Sequence, residues 1–296
     1  MAKPSKLKLW IAGARVRTLT LAVAPVALGS GAAAVTHRFN LGMAALALAV
    51  ALLLQIGVNY SNDYSDGIRG TDANRVGPLR LTGSKSVPAK QVRNAALTSF
   101  GAAALLGLVI TVLTGHWWFI AVGAAAIAAA WFYTGGKNPY GYAGLGEIVV
   151  FIFFGLVATV GTTLIQTGTF DGNAIIGGVA LGCLASAVLL VNNIRDLPLD
   201  KQAGKRTLAV LIGKTGATAL FIGLLWLPFL ILMLFVLLYP ATFMAYLGAL
   251  VAIPITFIVV TAKKPAELVT ALKLTSYTAL IYGVLLGWGL ALINFS

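Results

Sequence analysis

Residues 41–66 read LGMAALALAVALLLQIGVNYSNDYSD, an apolar run from 41 to 58 that passes without a turn signal into amides and carboxylates. About 20 mostly apolar residues cross the hydrocarbon layer of a bilayer, so the run is long enough to span with its flanks. If the helix continues past the run, Asn59, Asn62, Asp63 and Asp66 follow the i, i+3, i+4, i+7 spacing and share one face. A membrane span that ends in a carboxylate stripe sets the fold class and points to the chemistry.

The rest of the chain has the same character. Of 296 residues, 59% are hydrophobic and 10% charged, with a mean hydropathy of +0.93, well above ordinary soluble domains. Apolar runs broken at turn signals predict spans near 19 to 36, 41 to 58, 94 to 114, 117 to 134, 145 to 166, 174 to 192, 217 to 238, 241 to 261 and 275 to 294. The expected fold is an all-α integral membrane protein with nine transmembrane helices, one membrane-embedded domain over 1–296, in which 1–18 form a cytoplasmic amino-terminal segment. No small-residue cleavage site closes the first apolar stretch, so no removable signal peptide is expected.

Lys and Arg favour cytoplasmic loops. With the amino end inside, nearly every cation, from Lys3 through Arg80, Lys137 and Arg195 to Lys273, falls on inner segments, and the outer segments hold only Arg38. The expected location is the cell membrane, multi-pass, with the polar clusters facing the cytoplasm. The +13 net charge then lies along one face, where it meets lipid headgroups, and no nucleic-acid partner is expected. Cys183 lies in an apolar run and reads as a small buried hydrophobe; His37 and His116 read as interfacial residues.

Five of the eight acidic residues fall in two segments, Val58–Arg80 and Val191–Val210. In the second, Asn192, Asn193, Asp196 and Asp200 repeat the stripe, although Pro198 is expected to kink or end the helix before Asp200. Carboxylates and amides at an interface are hard oxygen ligands that suit Mg²⁺, which shares its shell with waters and substrate phosphates, so a diphosphate substrate is implied. The expected metal ligands are Asn62, Asp63, Asp66, Asp196 and Asp200, with Asp72 as either a further ligand or a turn residue. Cations for a diphosphate lie nearby: Arg69, Arg75 and Arg80 after the first cluster, Arg195 and Lys205 around the second. Lys137 is the only cation in YTGGKNPYGYAG, and Glu147, just inside a span, is costly enough in lipid to mark function or an ion pair.

At these residues the chain resembles the UbiA superfamily of membrane prenyltransferases. Its Asn-Asp-x-x-Asp motif is matched by Asn62, Asp63 and Asp66, its Asp-x-x-x-Asp motif by Asp196 and Asp200, and its Tyr-x-x-x-Lys element by Tyr133 and Lys137. One departure is that many members place a third Asp where this chain has Gly70. ARVRTLTLAVAP, RVGPLRLTGS and NNIRDLPLDKQAGKRTLAV look most like the branch of the menaquinone pathway. The resemblance implies a magnesium-dependent polyprenyl diphosphate donor, 1,4-dihydroxy-2-naphthoate as acceptor, loss of CO₂ and formation of demethylmenaquinone. In that frame Asp63, Asp66, Asp196 and Asp200 are expected to be catalytic through the metal, Arg75, Tyr133, Lys137, Arg195 and Lys205 to hold the diphosphate, and Arg17, Asn59 and Glu147 to meet the acceptor. Hydroxybenzoate or homogentisate are alternative acceptors. A cation or proton transporter is the rival from another class, favoured by carboxylates at the midplane; here they gather at one interface.

Overall fold

The computed structural model describes residues 5–71 and 79–295, and every regular element among them is helical. In chain order the α-helices are α1 Lys6–Ala14, α2 Thr20–Val35, α3 Leu41–Arg69, α4 Ala89–Thr114, α5 Phe119–Phe132, α6 Gly146–Val150, α7 Ala158–Thr167, α8 Gly172–Gln202, α9 Leu208–Leu238, α10 Leu247–Thr261 and α11 Pro265–Ala291. A π-helical segment, Phe151–Val157, joins α6 to α7, so that Gly146–Thr167 forms one span.

Seven helices among the described residues are each long and apolar enough to cross a membrane, and the pair Lys6–Thr18 and Thr20–Val35, bent by 47°, adds an eighth. The run expected over 117 to 134 is the 14-residue α5, shorter than the others. The bend falls between Thr18 and Thr20, and four residues before it Arg15 takes the left-handed conformation with φ 51° and ψ 60°. Such a backbone is uncommon for a residue with a side chain.

Lipid gives helices no hydrophobic reason to associate, so small residues that let backbones touch carry much of the packing. A side chain on Gly31 of α2 would strike the backbone of Gly287 in α11, and one on Gly155 of the π-segment would strike Gly182 in α8. α2 is thereby pressed between α11 and α7, and α8 runs against both the π-segment and α9. The larger core joins α2, α8, α9, α10 and α11 around Leu28, Leu184, Phe221 and Tyr282. A smaller one sets Tyr60 of α3 and Phe100 of α4 around Leu81, from the loop between those helices.

Pro198 does not end α8. The helix continues to Gln202 with Pro198 inside it, so Asp200 stays on the regular turn. α8 is the most buried of the spans, and its packing outweighs the one backbone bond the proline removes. α3 also stays helical through Arg69 and ends at Gly70, whose φ of 73° closes a left-handed cap. An aspartate at that position would carry backbone strain, a physical reason for glycine there.

Candidate active site

The carboxyl-terminal ends of α3 and α8 and the loops at 79–88, 133–145 and 203–207 surround a cavity of about 400 Å³. α3 alone carries its wall from Ala47 to Asp66, roughly 28 Å at the usual helical rise. Toward Ala47 the lining is Val50, Leu54, Phe119, Val122, Phe153 and Phe154; toward Asp66 it is Asn59, Asn62, Asn192, Asn193, Asp196 and Asp200. One chamber therefore joins an apolar half to a polar one.

Three of the four motif carboxylates reach it, Asp66 from α3 and Asp196 and Asp200 from α8, with different partners. On α3, Oδ1 of Asp66 accepts a 2.6 Å hydrogen bond from the Tyr142 phenol and a 3.3 Å ion pair from Lys205. The Lys205 ammonium also sits 4.5 Å from the centre of the Tyr142 ring. Burial lowers the affinity of Lys205 for its proton, but Asp66, Tyr142 and Asp200 beside it outweigh that and hold it above the ordinary lysine value, so the group stays charged. The Tyr142 phenol is pushed up by burial and by Asp66, and stays protonated as the donor. On α8, both oxygens of Asp196 accept from Arg195, through Nε and Nη2 at 2.7 Å each, and the same Nη2 reaches Asn192 at 2.9 Å. Asp200 lines the cavity, and its carbonyl takes the Lys205 N–H at 2.8 Å.

The loop after α5 is fastened to α3 from two sides. Thr134 donates to Oδ1 of Asn62 at 2.9 Å, and the Arg69 guanidinium grips the carbonyls of Thr134 and Gly136. Arg69 is thus spent on backbone, and Tyr133, Tyr140 and Tyr142 are left along the wall.

Several expected contacts are placed differently. Arg17 is exposed and off the cavity, whereas Arg15 lines it, because the left-handed turn at Arg15 reverses which arginine faces inward. Nη2 of Arg15 and Oε1 of Gln55 are buried there with no hydrogen-bond partner among the described residues. Between them, Thr18 accepts from Gln55 at 3.0 Å and from Asn59 at 3.1 Å. Lys137 is exposed and does not line the cavity, since the turn at Gly136, with φ 76°, carries it outward. Arg195 lies behind Asp196 rather than on the wall, and Glu147 stands behind Asn193, whose amide donates to it at 2.8 Å. Asp63 is also off the wall: one residue past Asn62 is about 100° further round the helix. Arg75 and Asp72 lie outside the described residues. Arg15, Gln55, Thr18 and Tyr142 are functional candidates that apolar periodicity does not single out; the one signal was an amide, Gln55, inside a run otherwise free of polar side chains.

The donors on the wall are all oxygens, from Asn62, Asp66, Asp196 and Asp200, which fits a hard divalent cation. Among the described residues no three His, Cys, Asp or Glu side chains group closely enough to hold an ion alone. A magnesium ion there would take part of its shell from substrate oxygens, the arrangement it usually adopts with phosphates.

A 1,4-dihydroxy-2-naphthoate octaprenyltransferase of Mycobacterium tuberculosis is 45% identical over 238 residues, covering 80% of this chain and 81% of the relative. The enzyme of the same name from Haemophilus influenzae is 36% identical over 248 residues, 80% of each chain. Among solved structures, a UbiA homolog from Archaeoglobus fulgidus bound to GPP and Mg²⁺ superposes with a TM-score of 0.66 over 94% of this chain and 99% of that one, at 15% identity. The apo UbiA homolog from Aeropyrum pernix K1 gives 0.69 over 94% and 98%, at 17% identity; at such identities the likeness is one of fold. The sequence pattern of the UbiA prenyltransferase family matches residues 22–281, and with two carboxylate-bearing helices closing on one half-apolar chamber, the chain belongs to that family.

Proposed function

We propose that this protein transfers a polyprenyl group from polyprenyl diphosphate to 1,4-dihydroxy-2-naphthoate, releasing diphosphate and CO₂. The observation that carries the reading is the single cavity whose polar end holds Asp66, Asp196, Asp200 and Lys205 and whose other end is apolar. A diphosphate head and an isoprenoid tail have that same division, and the relatives' names supply the acceptor.

Asn62, Asp66, Asp196 and Asp200 would hold magnesium, with Asp72 a further candidate outside the described residues. Bound there, the ion supplies Lewis-acid charge that offsets the negative charge gathering on the departing diphosphate. Lys205 and Arg80, both on the wall, pair with the diphosphate oxygens, with Arg75 beside them in sequence, while Arg195 and Tyr142 keep Asp196 and Asp66 oriented. As the allylic C–O bond breaks, its electron pair leaves with the diphosphate. The ring of the acceptor then gives an electron pair to the allylic carbon to form the new C–C bond. Loss of the carboxylate as CO₂ returns electrons to the ring, and the product is demethylmenaquinol, the two-electron-reduced form of demethylmenaquinone. Arg15 would meet the acceptor carboxylate, and Gln55 Oε1 would accept from the neighbouring ring hydroxyl, with Asn59 fixing Thr18 between them. The apolar lining excludes water from the allylic cation.

The site residues gather at the end of the bundle that carries the basic loops. This supports an active site on the cytoplasmic face of the cell membrane, an amino end on that side and, counting α5 as a span, nine spans.

Turnover of purified protein with dihydroxynaphthoate and a polyprenyl diphosphate, with and without Mg²⁺, tests the reading by mass spectrometry of the product. Metal-dependent prenylated and decarboxylated product is expected. Product only with another aromatic acid would move the acceptor, and no product with any acceptor would overturn the reading.

A further inference from the structure

Asp63 holds the second position of the Asn-Asp-x-x-Asp run, yet Asn59, Asn62 and Asp66 line the cavity and Asp63 does not. Its side chain is wholly buried. Oδ2 accepts the Leu81 N–H and Oδ1 accepts the Thr82 N–H, both at 2.8 Å. Each carboxylate oxygen thus faces a backbone donor of the loop between α3 and α4. A carboxylate receiving two N–H donors forms charge-assisted bonds, about twice as strong as neutral ones.

That loop is built to be held there. Leu81 is fully buried in the smaller core. Its carbonyl accepts from the N–H groups of Ser86 and Val87 at 3.0 and 3.1 Å, closing the turn on itself. Gly67, one helical turn past Asp63, makes room for the turn, because a Cβ there would come within 2.5 Å of the Thr82 side chain. The residue just before the anchored pair is Arg80, and Arg80 is on the cavity wall.

We infer that Asp63 is a positioning residue: its carboxylate anchors the Leu81–Thr82 backbone to α3 and thereby sets Arg80 against the diphosphate of the substrate, while the metal is left to Asn62, Asp66, Asp196 and Asp200. The inference rests on the prenyltransferase reading above. It assigns the two neighbouring residues of one motif to different tasks, Asn62 to the chamber and Asp63 to the loop. Asparagine at 63 would keep one acceptor but turn an NH₂ toward the other N–H, so the anchor would fail while Asn62, Asp66, Asp196 and Asp200 on the cavity wall stay chemically unchanged.

The test uses the full-length protein in lipid nanodiscs, with wild-type turnover as the control that first establishes the reaction. Asp63→Asn, Arg80→Ala, the double variant and Asp66→Asn are compared for prenyl diphosphate KM and, at saturating prenyl diphosphate, for the Mg²⁺ concentration giving half-maximal rate. Asp63→Asn is expected to raise the KM by about tenfold, the order expected for a lost charge-assisted contact. It is expected to leave the Mg²⁺ midpoint unchanged, and the double variant should be no worse than Arg80→Ala alone. A Mg²⁺ midpoint displaced in Asp63→Asn as in Asp66→Asn, or effects of Asp63→Asn and Arg80→Ala that multiply, would overturn it. Gly67→Ala, which presses on Thr82 and leaves Asp63 intact, should reproduce the KM rise with an unchanged Mg²⁺ midpoint, and an unaltered KM would count against the inference even if Asp63→Asn does not fold. Amide exchange at Leu81 and Thr82 reads the anchor with no turnover at all: faster exchange in Asp63→Asn supports it, and unchanged protection defeats it.

Discussion

The Tyr142 phenol donates a 2.6 Å hydrogen bond to Asp66 across 76 residues of chain, and Lys205 closes on the same carboxylate oxygen. One carboxylate thus ties α3 to two loops. Replacing Tyr142 with Phe removes the donor and keeps the ring beneath Lys205. A hydrogen bond to a charged group contributes roughly 1.5–3 kcal/mol, so kcat/KM for prenyl diphosphate should fall by about ten- to a hundredfold. Steady-state kinetics with a fixed saturating acceptor would check it.

Asp66→Asn and Asp196→Asn keep size and remove the carboxylate charge that would hold magnesium against the diphosphate. Each should reduce kcat by about a hundred- to a thousandfold, the usual scale for losing one preorganised electrostatic contact to a transition state. The thermal unfolding temperature of each purified variant separates this from misfolding.

Arg15 lines the cavity and Arg17 does not. Arg15→Ala should raise the KM for the aromatic acceptor by about tenfold or more, as loss of a charged hydrogen bond requires, with the KM for prenyl diphosphate unchanged. Arg17→Ala should leave both values near wild type. The reverse pattern in an acceptor titration would show that the turn at Arg15 is set differently when substrate is bound.

Glu147 accepts from Asn193 at 2.8 Å and does not itself reach the cavity. Glu147→Gln preserves an acceptor for that amide and should turn over at close to the wild-type rate. Glu147→Ala strands a buried donor at a cost of about 1–3 kcal/mol, readable as a lower unfolding temperature. A large activity loss in the glutamine variant would give Glu147 a direct part in the chemistry.

At the α2 and α11 contact, a side chain on Gly31 would meet the backbone of Gly287, which cannot swing aside as a side chain could. Gly31→Val should destabilise the protein by about 1–3 kcal/mol or more, as overpacking does. Thermal scans in detergent should show this, with little change in KM for the fraction that remains folded.

The helical class and the two carboxylate stripes were legible because both rest on spacing along a single helix. Asn62, Asp66, Asp196 and Asp200 do line one cavity, since a 3.6-residue period carries each side chain to the inner face. What the spacing could not convey was what stands opposite. Asp63 lies at the edge of its stripe, and its partner is a backbone turn 18 residues away, without a side-chain signal of its own. Arg15 and Arg17 exchange places through a single left-handed residue that no periodicity registers. Pro198 reads locally as a stop, yet α8 is held from outside by its neighbours.

α5 has no buried residue, although Phe119, Val122, Gly123, Ala126, Ala129 and Ala130 line the cavity. It is a partition one helix thick, with the chamber on one side and acyl chains on the other, and its side chains there are mostly small. The long tail of the donor therefore reaches the site through a two-dimensional solvent, and its relevant concentration is a mole fraction in the membrane. Adding lipid or detergent at constant total substrate would dilute that tail and raise its apparent KM, while the water-borne acceptor keeps its own.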